Sequence, residues 1–433
     1  YQATTIIGKL GVERYYEDLL HGQKGYQEVE VNSRGRVVRT IKYVPPVAGK
    51  DIVLNIDLDL QKYVFKQLDH RTGSAIILDP KDNSVLAMAS SPSYDPNLFV
   101  DGISSKNYRT LLNDPAHPLV NRTTLGVYPP GSTIKPFMAV AGLQEHVISE
   151  NTIRNDHGSW QIPGSKPNSK AWRDWKRWGH GPVDVTQAIE ESVDSFFYQT
   201  AFDLGIDRIS SWMNRFGFGE PTGIDIYEES NANMPTREWK MARYRTPWYQ
   251  GDTVPVGIGQ GYWTSTPLQL AKATSVLVNH GKVMPPHILK ATLEHGEDFE
   301  KQHVVDPQPM PSIEEVPDKI WDIPINAMRL VNHGSRGSGR RAFKGANYIS
   351  GGKSGTAQVF DLAKDQVYNS KKLARHLLDH ALYTAFAPYD NPEYVATVVI
   401  EHGNGGSKVG APYIRKVLDY AFEHKSGQNK DNS

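Results

Sequence analysis

Residues 128–143 read YPPGSTIKPFMAVAGL, and the rest of the chain is best interpreted outward from this stretch. The two prolines and the glycine at residues 129–131 predict a turn, because proline fixes its own backbone and disfavours helix in the residue before it. The apolar run Phe137–Leu143 predicts a helix that begins near Ser132. Ser132 is therefore expected at the N-terminus of a largely apolar helix.

Lys135 follows Ser132 at a spacing that suits nucleophilic chemistry. Residues i and i+3 share one face of a helix, so the lysine amine can reach the serine hydroxyl. Burial and the positive end of a helix dipole both weaken the hold of a lysine on its proton, and a neutral amine can act as a base. Because a serine hydroxyl is a poor nucleophile without a base, the pair predicts acyl transfer with Ser132 as nucleophile.

The same spacing occurs at Ser350 and Lys353, so the Ser-x-x-Lys pattern alone is a weak signal. There the intervening residues are Gly351 and Gly352, which disfavour a helix. We therefore do not interpret Ser350 as a second nucleophile.

A second candidate element is Ser192–Asp194, Ser-Val-Asp, which separates the predicted helices Val185–Glu190 and Phe196–Leu204. A break between two helices can direct a hydroxyl and a carboxylate into a cleft. Serine and aspartate are also favoured helix N-caps, and residues 93–95 (Ser-Tyr-Asp) repeat the pattern elsewhere. A capping role for Ser192 and Asp194 therefore stays open.

A third element is Lys353–Thr356, Lys-Ser-Gly-Thr, which follows two glycines and precedes the apolar stretch 357–360. This pattern predicts a strand whose start closely approaches another backbone. An exposed strand edge offers amide donors for an oxyanion and a cation for a carboxylate. Lys425–Gly427 repeats the triplet in a polar stretch without a predicted strand, so we assign it no role.

Composition excludes several classes of function. The chain has 433 residues, 39% of them hydrophobic, which suggests about two or three folded domains. Its 48 Lys and Arg balance 48 Asp and Glu, which argues against nucleic acid as a partner. It has no cysteine, which excludes disulfides, cysteine nucleophiles and thiolate metal sites. No window approaches the roughly 20 apolar residues that span a bilayer.

The residues around 44–50 include Pro45, Pro46 and Gly49 and predict a linker. We therefore expect a small N-terminal unit at residues 1–50, a main domain at 51–425 and a polar tail at 426–433. In the first unit, a helix is predicted at Leu10–Leu20, followed by a hairpin that turns at Gly35.

The main domain is predicted to have strands at both ends and helices between them. Two hairpins are indicated by apolar runs that flank turn residues, and a helix is indicated after the second: Ala75–Leu78 with Val85–Ala89, Ala381–Ala387 with Tyr394–Ile400, and the helix Pro412–Phe422. We therefore expect an α/β (α+β) fold in which an antiparallel sheet pairs early and late segments around a helical insertion.

The order Ser-x-x-Lys, Ser-x-Asp, Lys-Ser-Gly-Thr resembles the penicillin-recognising serine enzymes, which include penicillin-binding proteins and serine β-lactamases. Asp194 stands where asparagine is commoner. Longer strings are similar to class B penicillin-binding proteins: residues 121–122, 126–132, 257–261 and 353–359. Residues 174–176 with 178–181, and residues 192–199, are most similar to the elongation-specific transpeptidases of that class. The similarity covers nearly the whole chain, and residues 8–26 resemble part of that family's N-terminal pedestal.

The resemblance implies a penicillin-binding transpeptidase fold, in which helices and a helical subdomain flank an antiparallel sheet, together with a small pedestal or dimerisation segment at residues 1–50. It also implies a mechanism. Lys135 takes the proton of Ser132, whose oxygen attacks the penultimate D-alanine of a stem peptide ending in D-Ala-D-Ala. Ser192 passes a proton to the leaving D-alanine, and Asp194 and Lys353 order the network.

The same resemblance assigns substrate contacts to the Lys-Ser-Gly-Thr strand. The backbone amides of Ser132 and Thr356 would form the oxyanion hole, the hydroxyls of Ser354 and Thr356 would hold the substrate's terminal carboxylate, and Gly355 lies between them. An amine of a neighbouring stem peptide, expected to be diaminopimelate, then resolves the ester to a 4-3 cross-link. Penicillin would acylate Ser132 as a substrate mimic, and no cofactor or metal is expected.

Two alternative functions would form the same acyl-enzyme on Ser132. In a serine β-lactamase or D,D-carboxypeptidase water resolves the ester, and Glu229 with Asn233 crudely imitates a site for that water. Residues 223–226, just before them, themselves resemble the transpeptidases, which weakens this alternative. A β-lactam sensor that never turns over would need a signalling domain, and we expect none.

The insertion Asp156–His180 is polar and rich in tryptophan. Asp156, Asp174 and His180 could ligate zinc, but three ligands leave a tetrahedral site incomplete. We therefore favour a structural role, and the tryptophans could serve as core, glycan-contacting or partner-contacting residues.

The family resemblance also implies a location and partners. We expect a domain on the periplasmic face of the bacterial inner membrane, held by a single-pass anchor that lies outside this sequence. The expected partners are a SEDS-type glycan polymerase, other rod-complex proteins, peptidoglycan stem peptides and β-lactams.

Overall fold

The structure, a computed structural model, describes residues 7–100, 102–359 and 374–431. Its helices are α1 (Gly11–Tyr15), α2 (Glu17–Leu20), α3 (Leu58–Gln67), α4 (Ser105–Leu112), α5 (Lys135–Gln144), α6 (Val185–Glu190), α7 (Asp194–Leu204), α8 (Ile206–Arg215), α9 (Arg237–Tyr244), α10 (Gln250–Val256), α11 (Pro267–Val278), α12 (Asp318–His333), α13 (Arg340–Phe343) and α14 (Ala411–Asp431). Its strands are β1 (Tyr26–Val31), β2 (Val37–Val44), β3 (Asp51–Leu54), β4 (Gly73–Asp79), β5 (Ser84–Ser91), β6 (Arg154–Asp156), β7 (Ser159–Trp160), β8 (Trp172–Arg173), β9 (Gly181–Val183), β10 (Leu289–Leu293), β11 (His303–Val304), β12 (Gly351–Ala357), β13 (His380–Ala387) and β14 (Tyr394–Ile400).

One unit of the chain combines the residues up to Asn55 with two later segments, 224–228 and 287–307. The sequence placed the end of this unit near residue 50 and did not predict the later segments. Segment 287–307 belongs to it because β3 pairs with β10, and β10 with β11, in an antiparallel sheet. Segment 224–228 is joined to it by Asp225, whose carboxylate accepts hydrogen bonds from Tyr16 Oη and Ile288 N. Residues far apart in sequence complete this sheet, so no local pattern marks them.

The helix predicted at Leu10–Leu20 is interrupted. It divides at Tyr16 into α1 and α2, and the Tyr16 hydroxyl donates to Asp225 Oδ2 at 2.7 Å. The predicted hairpin is confirmed as the antiparallel pair β1 and β2, and Gly35 adopts a positive φ of 73° in its turn.

The second unit contains the remaining residues and a five-stranded antiparallel sheet in the order β12-β13-β14-β4-β5. Early strand β4 lies beside late strand β14, as predicted. Every residue of β14 is buried, because α3 and α14 pack on one face of the sheet and α11 packs on the other. A strand covered on both faces is apolar along its length rather than alternating, which explains the continuous run Tyr394–Ile400.

Helices predominate between the two hairpins, although the short strands β6 to β11 and strand β12 also lie there, and α5 packs among several of these helices. All residues from Lys135 to Leu143 are buried, since α7, α8 and α12 pack around this helix. A helix that is buried all round has no polar stripe. This explains the apolar sequence that follows the nucleophile motif.

The C-terminal helix is longer than predicted. The apolar pattern of Pro412–Phe422 ends early, but α14 begins at Ala411 and continues to Asp431, so most of the predicted polar tail is helical. The Ser426 hydroxyl donates to Phe422 O at 2.9 Å inside this extension. Among the described residues, no helix combines the length and apolar composition needed to cross a bilayer.

Candidate active site

Ser132 lies in a single 3₁₀ turn, Gly131–Ile134, that runs directly into α5, as predicted for a helix N-terminus. Its side chain is half-buried, whereas Thr133 to Lys135 are buried. Gly131 has a φ of 57°, and a methyl group there would lie 2.7 Å from Thr356 O. The glycine therefore lets strand β12 approach the turn that carries Ser132.

Strand β12 lies at the edge of the sheet, and among the described residues it pairs with β13 on one side and with no strand on the other. On its other side Gln260 Nε2 donates to Thr356 O at 3.0 Å. In an antiparallel strand the N–H and C=O of one residue point to the same side. The Thr356 N–H therefore faces the outer edge, where the Ser132 turn lies.

Residues 257–261 pack against the turn that carries Ser132. Gly131 N donates to Gly259 O at 2.9 Å, and a methyl group on Gly259 would lie 2.3 Å from Gly131 O. No individual role was predicted for these residues from the sequence. Gln260 was missed because nothing in its local pattern indicates a contact with β12.

The three motifs meet at the hydroxyl of Ser192. The Lys135 amine Nζ donates to Asp194 Oδ1 at 2.6 Å, to Ser192 O at 2.9 Å and to Ser192 Oγ at 3.2 Å. The Lys353 amine Nζ donates to Ser192 Oγ at 2.9 Å and to Ser354 O at 3.0 Å. Two buried lysines therefore share one serine oxygen.

The expected contact between Lys135 and the nucleophile is not formed. Within the described part of the chain, no hydrogen bond joins Lys135 Nζ to the Ser132 hydroxyl. The amine is turned instead toward the Asp194 carboxylate and the Ser192 carbonyl, which are stronger acceptors than a hydroxyl. Its role as the base stays a prediction, since such hydrogen bonds often tighten only when substrate binds.

The two lysines differ in their electrostatic surroundings. Burial holds the pKa of Lys353 well below its ordinary value, and the positive charge of Lys135 lowers it further, while Asp194 opposes the shift. Burial disfavours a charged amine that has no adjacent carboxylate. The neutral amine expected from the sequence at Lys135 is thus favoured at Lys353.

The Ser192 turn has an unusual backbone. Ser192 has a φ of 60°, a left-handed conformation that is uncommon for a residue other than glycine. Helix α6 has the predicted bounds, and Asp184 caps it with a hydrogen bond from Gln187 N at 2.8 Å. Neither Ser192 nor Asp194 acts as a cap of α7, so the capping interpretation of this motif is wrong.

Asp174 supplies the missing cap from a distance. Its Oδ2 atom accepts hydrogen bonds from Asp194 N at 2.6 Å and from Ser195 N at 3.0 Å. Burial, followed by the charge of Asp194, raises the pKa of Asp174 to about 6. The neighbouring Trp175 donates to Glu191 O and to Ser192 O, each at 3.1 Å. The tryptophan-rich insertion therefore supports the Ser192 turn.

The three candidate metal ligands lie close together. One side-chain atom from each of Asp156, Asp174 and His180 lies within 4.8 Å of the others. His180 Nδ1 is 2.6 Å from Asp156 Oδ2, and the buried Nε2 of His180 has no hydrogen-bond partner among the residues that the structure describes. The oxygen atoms of both aspartates already accept hydrogen bonds within the fold, so the structural role favoured from sequence stays our interpretation.

The remaining substrate-contact candidates lie along β12. Thr356 is exposed, and Gly355 packs so closely on the nucleophile turn that a methyl group there would lie 2.8 Å from Thr133 Cγ2. The Ser354 Oγ lies 3.0 Å from Ser338 Oγ. Ser338 was not predicted, because a serine in a glycine-rich loop carries no distinctive signal.

The residues that imitated these motifs have structural roles. Ser350 Oγ accepts from Asn332 Nδ2 at 2.9 Å just before β12 begins, and Asp95 caps the short turn Pro96–Phe99. Lys425 lies within α14. None of them belongs to the Ser192 cluster, in agreement with the sequence interpretation.

The residues that imitated a deacylating-water site are also engaged elsewhere. Glu229 Oε1 accepts from Thr222 N at 2.8 Å, and Asn233 Nδ2 donates to Tyr262 O at 2.7 Å. Both side chains hold loop backbone, so they offer no support for a hydrolytic site.

Comparison with known families agrees with this geometry. Residues 73–419 match the family described as the penicillin binding protein transpeptidase domain, and residues 1–54 match the penicillin-binding protein dimerisation domain. The two matches together cover most of the chain.

Individual relatives and solved structures are also similar. The peptidoglycan D,D-transpeptidase MrdA of Haemophilus influenzae is 54% identical over 99% of this chain and 65% of the relative, and that of Escherichia coli K12 is 53% identical over 97% and 65%. The chain thus spans just under two thirds of their length. The crystal structure of Pseudomonas aeruginosa PBP2 in complex with WCK 5153 has a TM-score of 0.82 and 41% identity, covering 95% of this chain and 81% of that one. Helicobacter pylori PBP2 in complex with MreC has a TM-score of 0.84 and 30% identity, covering 96% and 72%.

Proposed function

This chain belongs to the penicillin-binding protein transpeptidase family, and from that premise we propose that it is a peptidoglycan D,D-transpeptidase that works through an acyl-enzyme on Ser132. The observation that carries the proposal is the Ser192 hydroxyl, which lies 2.9 Å from Lys353 Nζ and 3.2 Å from Lys135 Nζ. A relay of this kind can move a proton from a nucleophile to a leaving group, and nucleophilic catalysis by serine needs such a route.

In the acylation step, Ser132 Oγ forms a bond to the carbonyl carbon of the penultimate D-alanine. The negative charge that develops on the carbonyl oxygen is held by the amides of Ser132 and Thr356, each worth about 3 kcal/mol in comparable sites. The outward-facing Thr356 amide supports this assignment. The C–N bond to the terminal D-alanine then breaks, and the ester remains.

The proton follows the lysine pair. Lys135 takes the proton of Ser132 after passing its own across the Ser192 hydroxyl to Lys353, whose lowered pKa favours a neutral amine before the reaction. Ser192 then delivers its hydroxyl proton to the departing amine and regains one from Lys353, which returns to its neutral form. Asp194 keeps Lys135 oriented throughout by its hydrogen bond of 2.6 Å.

The ends of the substrate are recognised separately. The Ser354 and Thr356 hydroxyls hold the terminal carboxylate of the donor peptide, and Gly355 lets that part of the strand approach the nucleophile turn. The amine of a second stem peptide, from diaminopimelate, attacks the ester and gives a 4-3 cross-link. A β-lactam acylates Ser132 because its ring amide and carboxylate imitate D-Ala-D-Ala.

We place this activity on the periplasmic face of the inner membrane during cell elongation, with a SEDS-type glycan polymerase and rod-complex proteins as partners. The similarity to H. pylori PBP2, solved with MreC, supports a partner of that kind. A β-lactam target is supported by the similarity to P. aeruginosa PBP2, solved with WCK 5153.

Labelling with fluorescent penicillin followed by peptide mapping tests the proposal. We expect one stable label on Ser132, no label on Ser132→Ala, and an unchanged label on the control Ser350→Ala, which alters the other Ser-x-x-Lys match. Label on a different residue would end the assignment. Rapid hydrolytic release of the label would instead favour the β-lactamase or carboxypeptidase alternative.

A further inference from the structure

The loop at residues 334–339, Gly-Ser-Arg-Gly-Ser-Gly, joins α12 to α13 between the Ser192 turn and strand β12. We propose that Ser338 in this loop is a positioning residue that orients the Ser354 hydroxyl toward the terminal carboxylate of the donor peptide. The proposal rests on the proposed transpeptidase function and adds a residue that neither the motifs nor the family comparison assigns.

The loop is held rigidly against the core by its glycines. Gly339 N donates to Val331 O at 2.9 Å, and a methyl group on Gly339 would lie 2.2 Å from the Tyr383 hydroxyl. A methyl group on Gly337 would lie 2.3 Å from Leu330 O. Side chains larger than glycine do not fit at these positions, so Ser338 is presented on a fixed backbone.

The loop is also tied to the turn that carries Ser192. Arg336 N donates to Glu190 Oε1 at 3.1 Å, and the Arg336 guanidinium lies 3.0 Å from Glu191 Oε1. A methyl group on Gly334 would lie 2.2 Å from Glu190 Oε1, so that buried carboxylate sits directly on the loop. Because Glu190 and Glu191 immediately precede Ser192, the loop holds a fixed position relative to the relay.

The far end of the loop reaches β12 through two hydroxyls. Ser338 Oγ lies 3.0 Å from Ser354 Oγ, and Ser354 is buried apart from a small exposed fraction. A hydroxyl has one proton to donate and can accept hydrogen bonds through its lone pairs. When an anionic carboxylate binds, Ser354 must donate its proton to that carboxylate, so toward Ser338 it can act only as an acceptor.

This order of donors strengthens binding of an anion. Hydrogen bonds in a chain polarise one another, and a donor to a charged group is stronger than a neutral one. Loss of the Ser338 hydroxyl therefore weakens the hold on the carboxylate by up to roughly tenfold, the upper size of one hydrogen bond between neutral groups. The same loss does not affect a ligand without a carboxylate.

The test compares acylation of Ser132 by benzylpenicillin and by its methyl ester, in which the carboxylate is masked. We expect Ser338→Ala to lower the second-order acylation constant about tenfold for the acid, through the binding step, and to leave the ester unchanged. Ser338→Thr keeps a hydroxyl and should behave as the parent. The matched control is Ser335→Ala, since Ser335 contributes its main-chain carbonyl to Arg340 and keeps that contact.

Equal losses with acid and ester, or no loss with either, would overturn the role of Ser338. If Ser338→Ala folds poorly, Ser338→Thr still decides the matter, because a preference for acid over ester below that of the parent contradicts the proposal. Failure of the proposed function can be distinguished from failure of this inference. A parent chain without label on Ser132 refutes the proposed function, whereas a labelled parent in which Ser338→Ala has no effect refutes only this inference.

Discussion

Two lysines reach the same serine oxygen from different parts of the chain, and their surroundings give them different tasks. Lys135 at the start of α5 and Lys353 in β12 are both fully buried, and both donate to Ser192 Oγ. Lys135 also has the Asp194 carboxylate at 2.6 Å, whereas the hydrogen bonds of Lys353 within the described residues go to a hydroxyl and a carbonyl. The adjacent carboxylate therefore determines the state of each amine. Lys135 is held in an ion pair with Asp194, whereas burial lowers the pKa of Lys353, which has no such partner among the described residues.

The largest expected effect is a difference in unfolding free energy between variants of the two lysines. Lys135→Met leaves the Asp194 carboxylate without its partner, and breaking a buried pair in this way costs about 3–5 kcal/mol of unfolding free energy. Lys353→Met replaces a desolvated amine by an apolar group of similar length, so we expect little loss or a gain. Urea denaturation of both variants measures the difference, and equal losses would contradict the proposed division.

The sequence was sufficient to predict the parts of the site that depend on local pattern. The hairpin strands Ala381–Ala387 and Tyr394–Ile400 differ from β13 and β14 by one residue at most, because apolar runs and intervening turn residues determine them locally. The bounds of Val185–Glu190 are those of α6 for the same reason. The order of the three motifs was enough, through the family resemblance that it carries, to predict that Ser192 and Lys353 lie together.

The rest depends on contacts between residues far apart in sequence. The cap that Asp174 provides for α7 joins residues with no shared periodicity, and the left-handed backbone of Ser192 has no sequence signal when the residue is not glycine. The orientation of Lys135 toward Asp194 follows from packing that only the folded structure specifies. The i, i+3 spacing predicts that Lys135 and Ser132 share a helix face, but it does not predict which atom accepts the hydrogen bond of Lys135.

The carboxyl group of Asp174, which accepts a hydrogen bond from Asp194 N, has a pKa shifted in the opposite direction to that of Lys353. The pKa of Asp174 is raised from 3.8 to about 6 in the fold. The folded state therefore binds more protons than the unfolded state between these values, so the free energy of unfolding falls as pH rises through this window. By linkage the effect is up to about 3 kcal/mol.

Asp174→Asn should remove that part of the pH dependence. Its amide oxygen can still accept a hydrogen bond from α7, so the variant should gain stability relative to the parent as pH rises from about 4 to about 7. Denaturation midpoints at several pH values provide the measurement. A constant difference between variant and parent across the range would contradict the assignment of the shift to Asp174.

A smaller effect is expected when the charge of the pair is removed but its hydrogen bond is kept. Asp194→Asn weakens one charge-assisted hydrogen bond and should lower acylation at neutral pH about tenfold, less than loss of either lysine. Asp194 raises the pKa of Lys353, so its loss should move the acid limb of the pH–rate profile to lower pH. A limb that moves to higher pH would show that Lys353 does not govern it.

The smallest effect concerns the lysine that shares only the motif letters. Lys425 forms an exposed ion pair with Glu393 at 2.7 Å, and exposed pairs contribute about 1 kcal/mol or less. Lys425→Ala should therefore leave the acylation rate unchanged and stability nearly so. A clear loss of acylation in this variant would show that context does not distinguish the two triplets.

The Ser192 hydroxyl joins Lys353 to Lys135, so the two lysines should act on Ser132 as one unit, and a double-mutant cycle measures this coupling. The acylation rate of Ser132 by benzylpenicillin is measured in the parent, Lys135→Met, Lys353→Met and the double variant. Residues that work as one unit are strongly non-additive, so the double variant should be about as slow as the slower single variant. A loss in the double variant equal to the product of the two single losses would mean that the lysines act independently and would contradict the shared relay.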